Sequence, residues 1–249
     1  MAPLLGPLEM SVLSADGLVL KGILEYPESV PGASVPLAVL AHQYPATADS
    51  FAPLVDDLLD LGVACLAFDQ RGHGASIMGP AGPVVVDTPV GFTAEDFGRA
   101  FVSSMSKVEF HRIDDDIIRV ASWGMAQNFI LGNRLLLIGG SVGGSGALLA
   151  APRVPGLAGV ITLGAAGTPA FGSDAPDRIR KSLETLRARA FLASSEDDPF
   201  AAGDNVRRWS HGLSHVAARL VPGASHAMGI YYEVRDDLLA FVKTTALKD

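Results

Sequence analysis

Short apolar runs recur along the chain at intervals that leave room for a helix between them. Residues 8–13 and 18–26 are β-rich runs on either side of Ala15-Asp16-Gly17, a turn signal, so the chain opens on a hairpin. Strand-like apolar runs follow at 36–41, 63–68, 134–138, 159–163, 189–193 and 217–221. Helical patterning fills the intervals near 113–129, 142–151, 177–188, 205–213 and 232–246. Asp49-Ser50 offers an N-cap for one more helix through Leu61, with Gly62 stopping it. This alternation predicts an α/β fold: a mostly parallel central sheet with helices on both faces, right-handed crossovers, and ligand sites at the carboxyl ends of the strands. No linker or repeat divides residues 1–249, which read as a single domain.

One run breaks the pattern in a way that carries chemistry. Leu135-Leu136-Leu137-Ile138 passes into Gly139-Gly140-Ser141-Val142-Gly143-Gly144 and then into the small-residue stretch 145–151, the written form of strand, sharp turn and helix. A serine projected from such a turn sits at positive φ, where residues other than glycine are uncommon, and a side chain at Gly139 or Gly143 would collide where strand and helix cross. The turn also aims the first helix amides, that of Val142 among them, at an oxyanion formed beside Ser141. A phosphate-binding loop is the competing reading, but its lysine-containing and Gly-x-Gly-x-x-Gly signatures are both missing.

Composition narrows the field. Apolar residues make up 49% and charged residues 18% of the chain, which suits a large buried sheet. A net charge of −8 without a basic cluster excludes nucleic acid as the expected partner; Arg178, Arg180, Lys181, Arg187 and Arg189 read as a solvated helix face and its exit. The lone Cys65 falls in an apolar strand and reads as a buried small hydrophobe. Residues 1–10 lack the pattern of a secretory signal and no apolar segment is long enough to span a membrane, so a cytoplasmic protein is expected. No cluster of His, Cys and carboxylates has metal-ligand spacing, and no cofactor is expected; Asp114-Asp115-Asp116 reads as the acidic opening of a helix.

The remaining polar residues gather after the strands, in His42-Gln43-Tyr44-Pro45, in 69–76, in Ser195-Glu196-Asp197-Asp198-Pro199 and in Gly223-Ala224-Ser225-His226. With the Gly139–Gly143 elbow and the Phe68-Asp69-Gln70-Arg71-Gly72-His73-Gly74-Ala75-Ser76 segment, these loops make the chain resemble the α/β-hydrolase superfamily over nearly its whole length. The double-glycine elbow is similar to that of the dienelactone-hydrolase and prolyl-oligopeptidase branches. The resemblance implies Ser141 as nucleophile, His226 as its base, and an orienting acid in the 196–198 loop. Asp198, which stands before a proline as that acid commonly does, is favoured over Asp197 and Glu196. It also implies that the amide of Tyr44 joins that of Val142 in an oxyanion hole, although Gln43 stands where the family often has glycine. His42, His73, Asp69 and Arg71 read as braces of their loops, and His111, His211 and His215 as surface residues.

Residues 77–129 exceed what a minimal crossover needs. Gly79 to Phe92 reads as an apolar loop and 93–109 as a helix capped through Thr93 and Asp96, so 77–110 is expected to form a small lid, with no large cap domain elsewhere. Tyr44, Thr168 and Phe171 are expected to bound the substrate pocket. The leading reading is a carboxylesterase acting on small-molecule esters of small or medium acyl length. A non-hydrolysing or slow binding protein of the same fold and an amidase or peptidase remain the alternatives.

Overall fold

The computed structural model describes residues 6–28 and 33–247, so half of the 1–10 stretch read above for a leader lies outside the described residues. An antiparallel hairpin of β1 (Leu8–Leu13) and β2 (Val19–Glu25) leads into β3 (Val35–Ala41) and β4 (Ala64–Asp69). Two-residue strands β5 (Met78–Gly79) and β6 (Gly82–Pro83) follow, then β7 (Ile130–Gly140), β8 (Leu157–Leu163), β9 (Arg189–Ser195) and β10 (Val216–Val221). All join one sheet in the order β10-β9-β8-β7-β3-β4-β2-β5-β6, with β1 on β2. From β10 to β4 every pairing is parallel; beyond β4 every pairing is antiparallel. The chain winds outward from β3 to β4, then returns to the other side of β3 and winds the opposite way through β7 to β10. That reversal makes the carboxyl ends of β3 and β7 the topological switch point, where a parallel sheet leaves a crevice for ligand.

Seven α-helices accompany the sheet among the described residues: α1 (Ala52–Asp60), α2 (Ala94–Lys107), α3 (Ile113–Met125), α4 (Ser141–Ala150), α5 (Ala175–Thr185), α6 (Ala202–Ser210) and α7 (Tyr231–Thr245). The strand period of two divides the core between the faces. Leu37, Val39, Leu135 and Leu137 pack with Ile117, Leu148, Ile179 and Val206 of α3, α4, α5 and α6. Their neighbours Ala38, Leu40, Leu136 and Ile138 pack with Leu54, Leu58, Val234 and Leu238 of α1 and α7. Each such leucine, removed from water, contributes about 2 kcal/mol before conformational entropy is counted. Cys65 lies wholly inside the second cluster, where burial pushes its thiol well above the usual range. No described helix is long and apolar enough to cross a membrane.

The observed elements differ from the sequence reading in three places. The first helix does not start on an Asp49-Ser50 cap: residues 48–51 form a 3-10 turn, and α1 begins at Ala52 with Pro53 in its first turn, where a missing N–H leaves no partner unpaired. β7 reaches back to Ile130, which pairs with Val35. The β5–β6 hairpin was not legible in its Gly/Pro-rich stretch, whereas α2 carries the expected capping box between Thr93 and Asp96.

Strand β7 and helix α4 cross at very short range. A Cβ on Gly139 would lie 2.5 Å from the Gly143 oxygen and from Gly144 backbone atoms, and one on Gly143 would lie 2.2 Å from the Ala41 oxygen. These are distances at which backbone must move. Gly143→Ala is therefore expected to destabilise the protein by about 2 to 4 kcal/mol, read as a lower urea midpoint; a midpoint within error of wild type would show that the crossing has slack.

Candidate active site

Ser141 stands between the last residue of β7 and the first turn of α4 with φ 50°. Its carbonyl accepts from the Ala166 amide at 3.2 Å, and Ser145 Oγ donates to the Ala166 carbonyl at 2.8 Å, so the loop after β8 is laced to the elbow. On the other side lies the loop after β3. His42 Nδ1 donates to the Gln43 carbonyl at 2.9 Å while its Nε2 accepts from the Gln70 amide at 2.9 Å, tying the loops after β3 and β4 together. Asp69 accepts from the amides of Ala48 and Ala75, and the Tyr44 hydroxyl donates to the Asp87 carbonyl.

The loops after β9 and β10 supply a buried acid and an imidazole. His226 Nδ1 donates to Asp198 Oδ2 at 2.7 Å, and the Asp198 side chain is 0% exposed. The other carboxylate oxygen accepts from the Phe200 amide at 2.8 Å. Asp197 and Glu196 are exposed, so of the three neighbouring carboxylates the structure pairs Asp198 with His226. That pairing fixes the proton on Nδ1 and leaves the Nε2 lone pair for other work. Ser195 Oγ donates to the Ser225 carbonyl at 2.6 Å, clamping the histidine loop to the acid strand, and Phe200 meets the imidazole edge-on at 4.6 Å.

Ser141 and His226 open into one cavity of about 470 Å³. Its walls are the β3 loop from Gln43 to Ala46, Ala166 and Gly167, Pro199 and Phe200, and a fourth side made by Phe92, Ala94, Phe97, Gly98 and Phe101. Thr168 and Phe171, expected at the pocket, do not line it. They belong to a 3-10 turn at residues 168–171, and Phe171 turns into the core at 5% exposure, so Ala166 and Gly167 form the wall instead. Tyr44 does line the cavity, with Phe101 edge-on to its ring at 5.5 Å. Val142 follows Ser141 in the first turn of α4 but is buried and does not itself line the cavity. The sequence reading missed Gln43 as a lining side chain and missed Phe97 and Phe101. Their i, i+4 spacing on α2 is the signal that would have put them on one face.

This geometry of strand-end loops agrees with comparison to known proteins. A family model described as the alpha/beta hydrolase fold matches residues 36–198. The chain belongs to that family. Among solved structures, this α/β-hydrolase is similar to the dienelactone hydrolase of Anabaena variabilis, at 17% identity with 98% of each chain covered and a TM-score of 0.65. It is similar to the Pf2001 esterase of Pyrococcus furiosus at 17% identity, covering 97% of this chain and 93% of that one, TM-score 0.67. An acetyl xylan esterase from Paenibacillus sp. R4 gives 16% identity, 96% and 84% coverage and TM-score 0.67. No curated protein sequence gives a match.

Behind the cavity of this α/β-hydrolase two histidines are locked neutral. Burial, together with the nearby His73, holds the His42 imidazole down at about 3; burial holds His73 down at about 4. Arg71, 1% exposed, makes paired hydrogen bonds to Asp116 (2.7 and 3.4 Å) and to Asp16 (2.9 and 3.3 Å), and donates to the carbonyls of Val108 and Glu109 just past α2. Asp116 thus opens α3 as expected but also serves as a buried counterion, which its acidic neighbours disguised in the sequence.

The histidine pair sets a stability profile. Each is depressed below the ordinary 6.5, so the unfolded chain binds protons that the folded chain refuses; the contribution is complete above 6.5 and is lost as pH falls toward 4. The histidines are expected to lower the unfolding free energy by about 2 to 3 kcal/mol per pH unit around pH 5, offset in part by Asp116, whose carboxyl burial raises to about 6, for a net fall of about 1 to 2 kcal/mol per unit, measured by urea titration across pH 4.5 to 7.5. A flat profile there would mean that the two rings charge in the folded protein.

Proposed function

We propose that this protein is a serine carboxylesterase acting on uncharged esters of small or medium acyl length. The observation that carries the reading is the Asp198–His226 hydrogen bond, placed in the same cavity as a serine held at positive φ. Ser141 Oγ gives its proton to His226 Nε2 and attacks the ester carbonyl; the amides of Val142 and Tyr44 hold the resulting oxyanion. His226 returns the proton to the leaving alcohol, then draws one from water, which attacks the acyl-serine and releases the acid. Asp198 keeps the imidazole in the required tautomer and balances its charge when protonated.

The cavity supports the substrate class. None of the described residues lining it is Lys, Arg, Asp or Glu, so nothing there would neutralise a substrate carboxylate or ammonium. Its volume of about 470 Å³ lies within the 300–1,000 Å³ range of small-molecule sites. Residues 77–110, which carry α2 and Phe92, act as a small lid: Phe92 reaches the cavity mouth while remaining 100% exposed, free to close on an apolar acyl group. Two of the similar structures are named as esterases, which favours esters over the amide alternative.

Hydrolysis of p-nitrophenyl acetate, butyrate, octanoate and palmitate tests the reading directly. Turnover that declines toward the longer chains is expected, and Ser141→Ala is expected to lower kcat by roughly 10⁴ to 10⁶-fold in a folded protein; a folded Ser141→Ala that still turns over at the wild-type rate refutes the nucleophile. Comparison of the two aspartates tests the acid. Asp198→Asn is expected to lower kcat by on the order of 10³ to 10⁴-fold, against a change of a few-fold at most for the exposed Asp197→Asn; the reverse ranking would move the acid to Asp197.

A further inference from the structure

We infer that Ser195 is a positioning residue for the active site: its hydroxyl holds the chain that carries His226 in register with Asp198, against a strained turn that would otherwise draw the imidazole away. The role rests on the serine esterase reading above and names what keeps its base in place.

The two halves of the Asp198–His226 pair are held in unequal ways. Asp198 is fixed from within the fold: its side chain is 0% exposed, and Oδ1 accepts from the Phe200 amide at 2.8 Å. His226 instead follows Pro222 to Ser225, four residues that are all exposed, so packing does little to place them. Hydrogen bonds do it. Three consecutive residues at and just past the end of β9 grip alternate carbonyls of the chain leaving β10. The Glu196 amide donates to the Val221 carbonyl at 2.8 Å, the Asp197 amide to that of Gly223 at 3.0 Å, and Ser195 Oγ to that of Ser225 at 2.6 Å. The first two are backbone bonds that do not depend on the side chains there. The third depends on the serine hydroxyl, and the carbonyl it holds belongs to the peptide that joins Ser225 to His226.

On the far side of His226 the chain is strained. Ala227 has φ 49°, in the left-handed region that residues with a β-carbon seldom occupy, and it is buried. Gly164, just past β8, packs against it. A Cβ on Gly164 would lie 2.7 Å from the Ala227 amide nitrogen and 3.2 Å from His226 Nδ1, so this side of the histidine has no spare room. A strained residue persists only where its surroundings over-determine it. The 3-10 turn at residues 227–230 and α7 fix the exit from His226, and Ser195 supplies the tether at its entry. Without that tether the peptide before His226 is free to rotate and Ala227 to relax, which shifts the imidazole relative to Ser141.

The tether serves alignment more than stability. Ser195 is wholly buried, whereas Ser225, whose carbonyl it grips, is exposed. Water can therefore take up that carbonyl when the hydroxyl is removed, and the usual penalty of an unpaired buried acceptor is avoided.

Ser195→Ala and Ser195→Thr test the role through two readouts: kcat and KM on p-nitrophenyl butyrate, and the rate at which diethyl p-nitrophenyl phosphate phosphorylates Ser141, followed by mass. The second needs the same base but no carboxylic ester. Ser195→Ala is expected to lower both kcat and the phosphorylation rate about 10 to 100-fold, the loss that a displacement of roughly 1 Å brings. Because acylation and deacylation both use His226, KM is expected to stay within about threefold, and the melting temperature within about 4 °C of wild type. Ser195→Thr keeps the donor and is expected to hold both rates within about fivefold of wild type. A folded Ser195→Ala with wild-type rates would overturn the inference. So would a Ser195→Ala that fails to fold or melts far lower, since the hydroxyl would then be holding the fold and not the histidine, and so would a folded Ser195→Thr as slow as Ser195→Ala. Wild type that turns over no ester yet is phosphorylated at Ser141, and more slowly in Ser195→Ala, would refute the esterase reading and leave the tether standing; neither reaction in wild type would refute both.

Discussion

Ser141 is held at φ 50°, in the left-handed region, where a residue with a β-carbon costs of the order of 1–3 kcal/mol. A turn of that kind survives only where its surroundings leave it no alternative. Here β7 enters from the middle of the sheet, α4 leaves through an all-buried first turn, and the two glycines flanking the serine allow strand, helix and the end of β3 to touch backbone to backbone. The constraint propagates outward. Because α4 must pass so close to Ala41 and His42, the loop after β3 is pressed against the serine turn, and the loop after β8 is tied to it through Ala166 and Ser145. The strain is sustained by the same packing that stabilises the sheet, so the geometry of the serine turn and the fold cannot be separated.

A second layer of organisation is polar and lies beneath α2. Arg71 gathers the β1–β2 turn through Asp16, the start of α3 through Asp116, and the chain leaving α2 through the carbonyls of Val108 and Glu109. A buried ion pair adds little net stability once desolvation is counted, but removing one partner is severe, so such a cluster fixes arrangement more than it adds strength. Above it Tyr44, His73, Phe101 and Phe110 pack ring against ring. The floor under α2 is thus rigid, whereas Val102 on the helix, and Val90 and Phe92 in the segment that leads into it, are exposed to solvent. Helix α2 thus packs on a fixed floor while Phe92, Ala94, Phe97, Gly98 and Phe101 at and before its start line the cavity.

The central strands were legible in the chain because they are buried on both faces and so appear as unbroken apolar runs; 36–41 and 159–163 were located almost to the residue. The elbow was legible for a different reason, since few sequences put four glycines around one serine at the end of such a run. Local signals failed where tertiary pairing decided the outcome. Ile130 joins β7 only because Val35 lies beside it, and the helix after β3 starts late because Pro53, not Asp49, suits its first turn. The cavity wall was the least legible part. Thr168 and Phe171 follow a strand end as pocket residues do, but Gly167 at φ 70° turns the chain so that Phe171 points inward. Gln43 was noticed as an oddity of its loop; its side chain could be placed only once Gly140 was seen across from it.

Cys65 is the lone cysteine of the chain and lies fully enclosed between α1 and the sheet, its thiol held protonated by that enclosure. The folded surface is therefore free of native sulfhydryl chemistry. A cysteine introduced at position 92 would be the one reactive thiol on the molecule, so a spectroscopic label could be attached at the cavity mouth without first stripping the protein of its own.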